Sequence, residues 1–446
     1  MGKSSLHIAM YPWFAIGHLT PYLYLSNKLA QKGHTISFII PTKTQAKLQH
    51  LNLYPEHITF VPITLPHVDG LPPDAETTSD VPSTLYPLLI TGMDRTETHI
   101  EHLLRDLKPD IVFYDFASWV PKLTRKLGIK SIHYCVISTA TVGYIRAPAR
   151  QRGEADFLHP PSGFPIPSIA LHAHEARIFS GGAKAKFGRD IMFLDQAEAL
   201  GFWTCRETEG PCIDYIESQF QKPVLVSGPI IVHPPAASSL EEKWVQWLGG
   251  FKAGSVIYCA LGSQIKLRKD QFQELVLGLE LCGSPLLAAL KPPFGAESVE
   301  AALPEGFEER MKGKGMVDGG WVQQRLILGH PSIGCFVTHC GSGSLLEALR
   351  SECQLVMLPQ IPDQIINARM MANNWKVGVE IEKGEEDGLF TKGSVCKAVR
   401  AVMEVDSEVG RLVRANHSKL RDVLLNEDIQ SSYIDSFSQK LQDLVG

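Results

Sequence analysis

The feature that most constrains this chain is a run of alternating elements inside residues 321–364. An apolar β-like stretch, Gly334-Cys335-Phe336-Val337-Thr338-His339, ends in a turn of small residues, Gly341-Ser342-Gly343-Ser344. That turn opens a helical pattern marked by Leu345, Leu346 and Leu349, with an acid at Glu347. A second apolar stretch, Leu355-Val356-Met357-Leu358, stops at Pro359 and leads to Asp363 and Gln364. Strands alternating with helices imply a parallel, doubly wound sheet. A small-residue turn that leads into a helix N-terminus is an anion site, because free backbone N–H groups and the helix dipole both favour phosphate. Ahead of this stand Trp321, Val322, Gln323 and Gln324. An aromatic face stacks a base, a carboxylate one helical turn on holds ribose hydroxyls, and a terminal Asp-Gln pair holds sugar hydroxyls. In that order the parts describe a sugar nucleotide.

The same alternation runs through the chain. Strands are expected at 6–11, 34–40, 58–65, 110–114 and 131–136, with a helix near 19–31 and helical spacing over 84–107. The region 150–190 is irregular and rich in Pro, Gly, His and Arg, and reads as an acceptor-side insertion. A Pro/Ser-rich stretch, His233-Pro234-Pro235-Ala236-Ala237-Ser238-Ser239, lies in a linker near 227–240. The pattern then restarts with strands at 255–261 and 286–290 around a helix near 269–282. A chain of 446 residues is long for one domain, so two are expected: 1–235 and 241–425, with 426–446 a helix packing back on the first.

Composition narrows the function classes. Apolar content of 44% and charge of 20% are those of a globular protein. A net charge of −5 gives no reason to expect nucleic acid or acidic membrane as partner. Nine scattered cysteines carry no metal spacing and read as reduced thiols in the cytoplasm. The opening residues MGKSSLHIAMYP predict no signal peptide, and no apolar run is long enough for a membrane span.

A transferase needs a base as well as a nucleotide site. The first strand runs into Pro12-Trp13-Phe14-Ala15-Ile16-Gly17-His18, which puts His18 at the C-terminal mouth of a parallel sheet, where ligands bind. By itself His18 reads more readily as a helix-cap or structural residue. Asp115, at the end of the fourth strand, reads by itself more readily as a helix cap. Other chemistries fit poorly. The first strand lacks the G-x-G-x-x-G of a dinucleotide oxidoreductase. Gly341-Ser342-Gly343-Ser344 has the wrong order for a hydrolase elbow. Glu308-Glu309 sits in a charged stretch rather than as a glycosidase pair. His172 and His174 lack a third zinc ligand nearby. A non-catalytic sensor of sugar nucleotides is expected to lose His18 or Asp115, and both are present.

The stretch 321–364 resembles the 44-residue signature box of the plant family 1 UDP-dependent glycosyltransferases, and needs no gap to match it. The matching positions are Trp321, Gln324, His330-Pro331, Thr338-His339-Cys340-Gly341, Ser344, Glu347, Pro359, Asp363 and Gln364. Ser342-Gly343 stands where most members have Trp-Asn, and Val322-Gln323 where they have Ala-Pro; both departures look like the branch that adds a second sugar to a flavonoid or anthocyanin glycoside. The resemblance implies a GT-B fold, α/β, with two Rossmann-like domains facing a cleft. It implies His18 as catalytic base and Asp115 as its partner. Donor contacts fall to Ser263, Trp321, Val322, Gln324, His339, Gly341, Ser342, Gly343, Ser344, Glu347, Asp363 and Gln364. Acceptor contacts are expected from Trp13, Phe14, Phe116, Trp119 and Ser138, with polar help from Ser162, His172, His174, Arg177 and Arg189. Inverting, metal-independent transfer by a monomer is expected. The donor would be UDP-glucose, UDP-xylose, UDP-rhamnose or UDP-arabinose, and the acceptor a flavonoid or anthocyanin glycoside, with an aglycone as the alternative.

Overall fold

The computed structural model describes residues 5–148, 150, 153–180, 194–230 and 239–446. They form two compact units. The first holds a seven-stranded sheet: β1 (His7–Tyr11), β2 (Thr35–Pro41), β3 (Ile58–Ile63), β4 (Ile111–Tyr114), β5 (Lys130–Cys135), β6 (Ala199–Phe202) and β7 (Val224–Val226). Their order is β3-β2-β1-β4-β5-β6-β7, and every pairing is parallel. The second unit holds β8 (Val256–Ala260), β9 (Leu286–Ala289), β10 (Gly315–Asp318), β11 (Ile333–Thr338), β12 (Gln354–Met357) and β13 (Gly378–Glu380). Its order is β10-β9-β8-β11-β12-β13, again all parallel. Most strands of both sheets are apolar runs covered on both faces by helices. That is why they read as continuous Ile, Val, Leu and Phe rather than as alternating patterns.

Four strands exceed the sequence expectation: β6, β7, β10 and β13, each of three or four residues. Three of them contain glycine, which weakens a strand signal. At Gly201 the glycine is required, because a Cβ there would stand 2.7 Å from the Tyr134 ring. The helical span over 84–107 is two helices, Tyr86–Asp94 and Glu97–Leu107. They part beside Thr96, whose hydroxyl donates to the Met93 carbonyl and meets Tyr11 Oη at 2.6 Å.

The expected boundary 1–235 is corrected by the structure. Residues 153–180 pack with the second unit, not the first. Buried Glu175 is held there by Arg369, and the backbone N–H and Nδ1 of His174 both meet the Glu385 carbonyl. Charge pairing over about 200 residues of sequence leaves no local pattern, so composition alone misplaces this segment. Arg189 and most of the expected linker lie outside the described residues.

The helix Glu427–Val445 belongs to the first unit. His34 Nε2 meets Ser438 Oγ at 2.7 Å, and Phe437 packs on Phe113 and Tyr134. The chain at Gly228 (φ +79°) passes so close to Tyr433 that a Cβ would sit 2.5 Å from it. Among the described residues, no helix is long and apolar enough to cross a membrane.

Candidate active site

The first constellation follows from the pairing of β1 with β4. These strands are neighbours in the sheet but about 100 residues apart in sequence, so the connections leave them in opposite directions. Such a switch point opens a crevice at the carboxyl ends of the strands. Register aligns Tyr11 with Tyr114, so Asp115 follows β4 just beside the loop that leaves β1. His18 stands in the first turn of the helix Ile16–Gln31. Its Nδ1 lies 2.6 Å from Asp115 Oδ2. Asp115 Oδ1 accepts from the backbone N–H groups of Trp13 (2.5 Å) and Phe116 (2.7 Å). The carboxylate is buried and fully engaged, whereas the imidazole keeps about a fifth of its surface exposed. A carboxylate at Nδ1 holds the proton there and leaves Nε2 basic. The pair can therefore take a proton from a hydroxyl and stabilise the imidazolium formed.

Around this pair the expected acceptor residues divide. Phe116 and Trp119 are half-buried, and the Phe116 ring stands edge-on to His18 at 5.6 Å. Trp13 is nearly buried and stacks on Phe116 at 5.0 Å, forming a floor beneath it. Phe14 is a correction: its ring is fully enclosed in the core of the first unit and offers an acceptor no surface. Ser138 has a structural task, capping the helix Thr139–Arg146 by accepting from Thr141 N–H at 3.2 Å.

The second constellation lies in the other unit, at the carboxyl ends of β8, β11 and β12. Thr338 pairs with Ala260, which puts His339 beside the turn Gly262-Ser263. The His339 ring sits between two glycines. A Cβ at Gly262 would stand 2.7 Å from its Nε2, and one at Gly341 2.6 Å. Burial pulls this imidazole down to about 4, against the pull of a backbone hydrogen bond at Ala260, so it is neutral at ordinary pH. Its Nδ1 is buried with no protein partner among the described residues. The helix Ser342–Leu349 begins at Gly341 with no side chain capping it. The N–H groups of 341–344 thus remain available to an anion.

Gln324 organises the adjoining corner. Its Nε2 donates to Ser344 Oγ (3.0 Å) and Glu347 Oε2 (2.8 Å). Burial raises the Glu347 carboxyl, and the Gln324 bond opposes that rise. Trp321 is 78% exposed, an unusual state for indole, while Val322 is buried in the core below it. At the start of the helix Pro362–Arg369, Gln364 Oε1 accepts from Gln360 N–H (3.0 Å) and Ile361 N–H (3.3 Å). Asp363 is half-buried on the same turn.

A family model described as UDP-glucoronosyl and UDP-glucosyl transferase matches residues 237–418. The chain is 62% identical to cyanidin 3-O-galactoside 2''-O-xylosyltransferase of Actinidia chinensis var. chinensis, covering 100% of both proteins. It is 58% identical to anthocyanidin 3-O-glucoside 2''-O-glucosyltransferase of Ipomoea nil, covering 99% of each. The chain belongs to the plant family 1 UDP-dependent glycosyltransferases. Solved structures agree on the GT-B fold. The Glycyrrhiza uralensis protein complexed with glycyrrhetinic acid 3-O-monoglucuronide superposes with a TM-score of 0.86 at 20% identity, covering 99% of this chain and 96% of that one. A UDP-glucosyltransferase from Polygonum tinctorium gives 0.81 at 22% identity, covering 99% of each.

Sequence reasoning missed one residue of this glycosyltransferase that touches the phosphate turn. Asn367 Nδ2 donates to the Cys340 carbonyl (3.0 Å) and meets Ser342 Oγ at 3.4 Å. Cys340 is in the left-handed region (φ +68°), uncommon for a residue with a side chain, so the turn needs such a clamp. The signal was present as an Asn three residues beyond Gln364 on a helix face, but helical spacing alone does not say what that face meets.

Proposed function

We propose that this glycosyltransferase moves a sugar from a UDP-sugar to a hydroxyl of a sugar already attached to an anthocyanin or related flavonoid. The observation that carries the acceptor is full-length identity of 58–62% to enzymes named for 2''-O-transfer onto anthocyanin 3-O-glycosides. The departures Ser342-Gly343 and Val322-Gln323 support the same branch. UDP-xylose and UDP-glucose are the donors favoured by those names; UDP-rhamnose and UDP-arabinose are the remaining choices.

In this reading His18 Nε2 takes the proton of the acceptor hydroxyl while that oxygen attacks the anomeric carbon. The bond from that carbon to the UDP oxygen breaks, its electron pair leaves with the diphosphate, and configuration inverts. A sugar hydroxyl is far less acidic than imidazolium, so proton removal must accompany attack, and positioning matters more than acidity. Asp115 holds the imidazole in its working tautomer and balances the charge it gains. Developing charge on the diphosphate is met by N–H groups of 341–344, by His339 and by Ser263. Ser344 Oγ accepts from Gln324, which leaves its own O–H to donate there. Trp321 stacks the uracil, Glu347 and Gln324 hold the ribose, and Asp363 and Gln364 hold the transferred sugar. Phe116 and Trp119 flank the acceptor. Nine unpaired cysteines, eight of them buried, support a reducing compartment, read as the cytoplasm. A monomer is the working form, to be checked by its mass in solution.

The deciding experiment compares kcat/KM for a flavonoid or anthocyanidin aglycone and its 3-O-monoglycoside with a panel of UDP-sugars. Preference for the glycoside, with product bearing a disaccharide, is expected. Preference for the aglycone, with transfer to a phenolic oxygen, overturns the sugar-on-sugar reading. UDP-sugar binding without transfer to any acceptor would instead favour a sensor.

A further inference from the structure

The helix Pro362–Arg369 carries at its start the two residues proposed to hold the donor sugar and at its end a buried arginine. Arg369 Nη2 lies 3.0 and 2.9 Å from the two carboxylate oxygens of Glu175, which is itself buried. Arg369 Nη1 pairs with Glu380, the last residue of β13, and its Nε donates to the Ala170 carbonyl at 3.3 Å. Glu175 Oε2 also accepts from His172 N–H at 2.9 Å. Lys383 completes the set, donating to the carbonyl of Pro359 just ahead of the helix. One buried arginine thus meets two carboxylates, one of them from the 153–180 segment, with a second cation, Lys383, close by.

We propose that Glu175 is a positioning residue for donor-sugar recognition, acting through Arg369 on the helix that presents Asp363 and Gln364. An eight-residue helix is about 12 Å long and moves as a rigid rod, so its two ends are coupled. Without Glu175, Arg369 and Lys383 share the single carboxylate of Glu380, and the buried Arg369 Nη2 loses both of its acceptors. A buried guanidinium edge stripped of its acceptors relieves itself by moving, and here movement tilts the rod that carries Gln364. Uridine recognition is built on separate contacts, those of Gln324 with Ser344 and Glu347, and Trp321 on its own loop. Asn367 on the same helix clamps the phosphate turn, so UDP itself should weaken somewhat, but the UDP-sugar, which also depends on Asp363 and Gln364, should weaken more. The inference rests on the proposed assignment of Asp363 and Gln364 to the sugar.

The test measures kcat and KM for the UDP-sugar, and Kd for UDP, in the whole protein with whichever acceptor it turns over. Glu175→Gln should lower kcat/KM by about tenfold or more, the scale of a sub-ångström misplacement, with a clearly smaller loss, about threefold or less, in Kd for UDP. Glu175→Asp should restore a large part of the loss. Should Glu175→Gln fail to fold, Arg369→Lys keeps the charge and loses the fork, and the same split is expected. A lower Tm with unchanged kcat/KM, or UDP and UDP-sugar weakened alike, overturns the proposal. Gln364→Ala is measured alongside. If it too spares the UDP-sugar, the sugar assignment itself is wrong; if it weakens the UDP-sugar and Glu175→Gln does not, only the role of Glu175 fails.

Discussion

The two units solve the same problem, a ligand site at the mouth of a parallel sheet, with opposite means. In the first, chemistry comes from two side chains 97 residues apart, His18 and Asp115, and both carboxylate oxygens are engaged. In the second, it comes largely from backbone and residues inside one contiguous stretch, with the Gly262-Ser263 turn beside it. There the Trp321 indole stands out in solvent and His339 Nδ1 has no protein partner among the described residues. A side-chain dyad depends on strand register and has no substitute for its base. A turn of N–H groups spreads its work over several atoms, so no single one of them is indispensable.

That contrast breaks first at His18. His18→Ala should reduce kcat for transfer by about 10³-fold, within the range of general-base catalysis, with UDP affinity nearly unchanged. Near-normal turnover would remove His18 as the base. Asp115→Asn should be severely slowed but retain more activity, because the imidazole keeps some basicity. In the second unit, Trp321→Ala should weaken UDP and UDP-sugar together by about 1–3 kcal/mol, the value of one base–aromatic stack. Isothermal titration with both ligands checks this, and unequal losses would assign the indole to the sugar instead.

Legibility in the sequence followed the same divide. The box was readable because strand, turn, helix and strand are consecutive and every donor candidate except Ser263 falls inside one window. His18 and Asp115 were each ambiguous alone, and only the family resemblance paired them. Their meeting is a fact of sheet order, which a linear pattern does not carry. Phe14 was misread because an aromatic beside a functional loop looks the same whether it faces ligand or core. The segment 153–180 was misassigned because a buried Glu175–Arg369 pair leaves no periodic trace. Asn367 was missed for the same reason, since its partner is a carbonyl rather than a side chain.

Protonation sharpens the comparison further, through one imidazole in each unit that is pulled far down. Burial pulls both His133 and His339 from the ordinary 6.5 down to about 4. The unfolded chain binds these protons below about pH 6.5, and the folded chain does not until about pH 4. Stability from keeping them neutral is therefore full above pH 6.5 and is lost as pH falls toward 4, on the order of 3 kcal/mol for each. Urea unfolding at about pH 7 and pH 4.5 should show the loss, and His133→Asn should remove only the first unit's share. The smallest effect is expected from chelation. The phosphate turn offers N–H groups and hydroxyls rather than paired carboxylates, so EDTA should leave the rate unchanged; a fall restored by a divalent cation would require a different account of the leaving group.

The path of the chain has a consequence for anyone building chimeras of such enzymes. Neither unit is one continuous stretch: 153–180 goes with the second, and 426–446 with the first. Exchanging donor halves at a single junction near residue 240 would transplant the helix Glu427–Val445 away from Gly228, whose lack of a side chain fits Tyr433 of that helix alone. It would also leave Glu175 behind, facing whatever the incoming half carries in place of Arg369. A graft that respects the fold takes 153–180 together with 239–425 and keeps the host's own last helix.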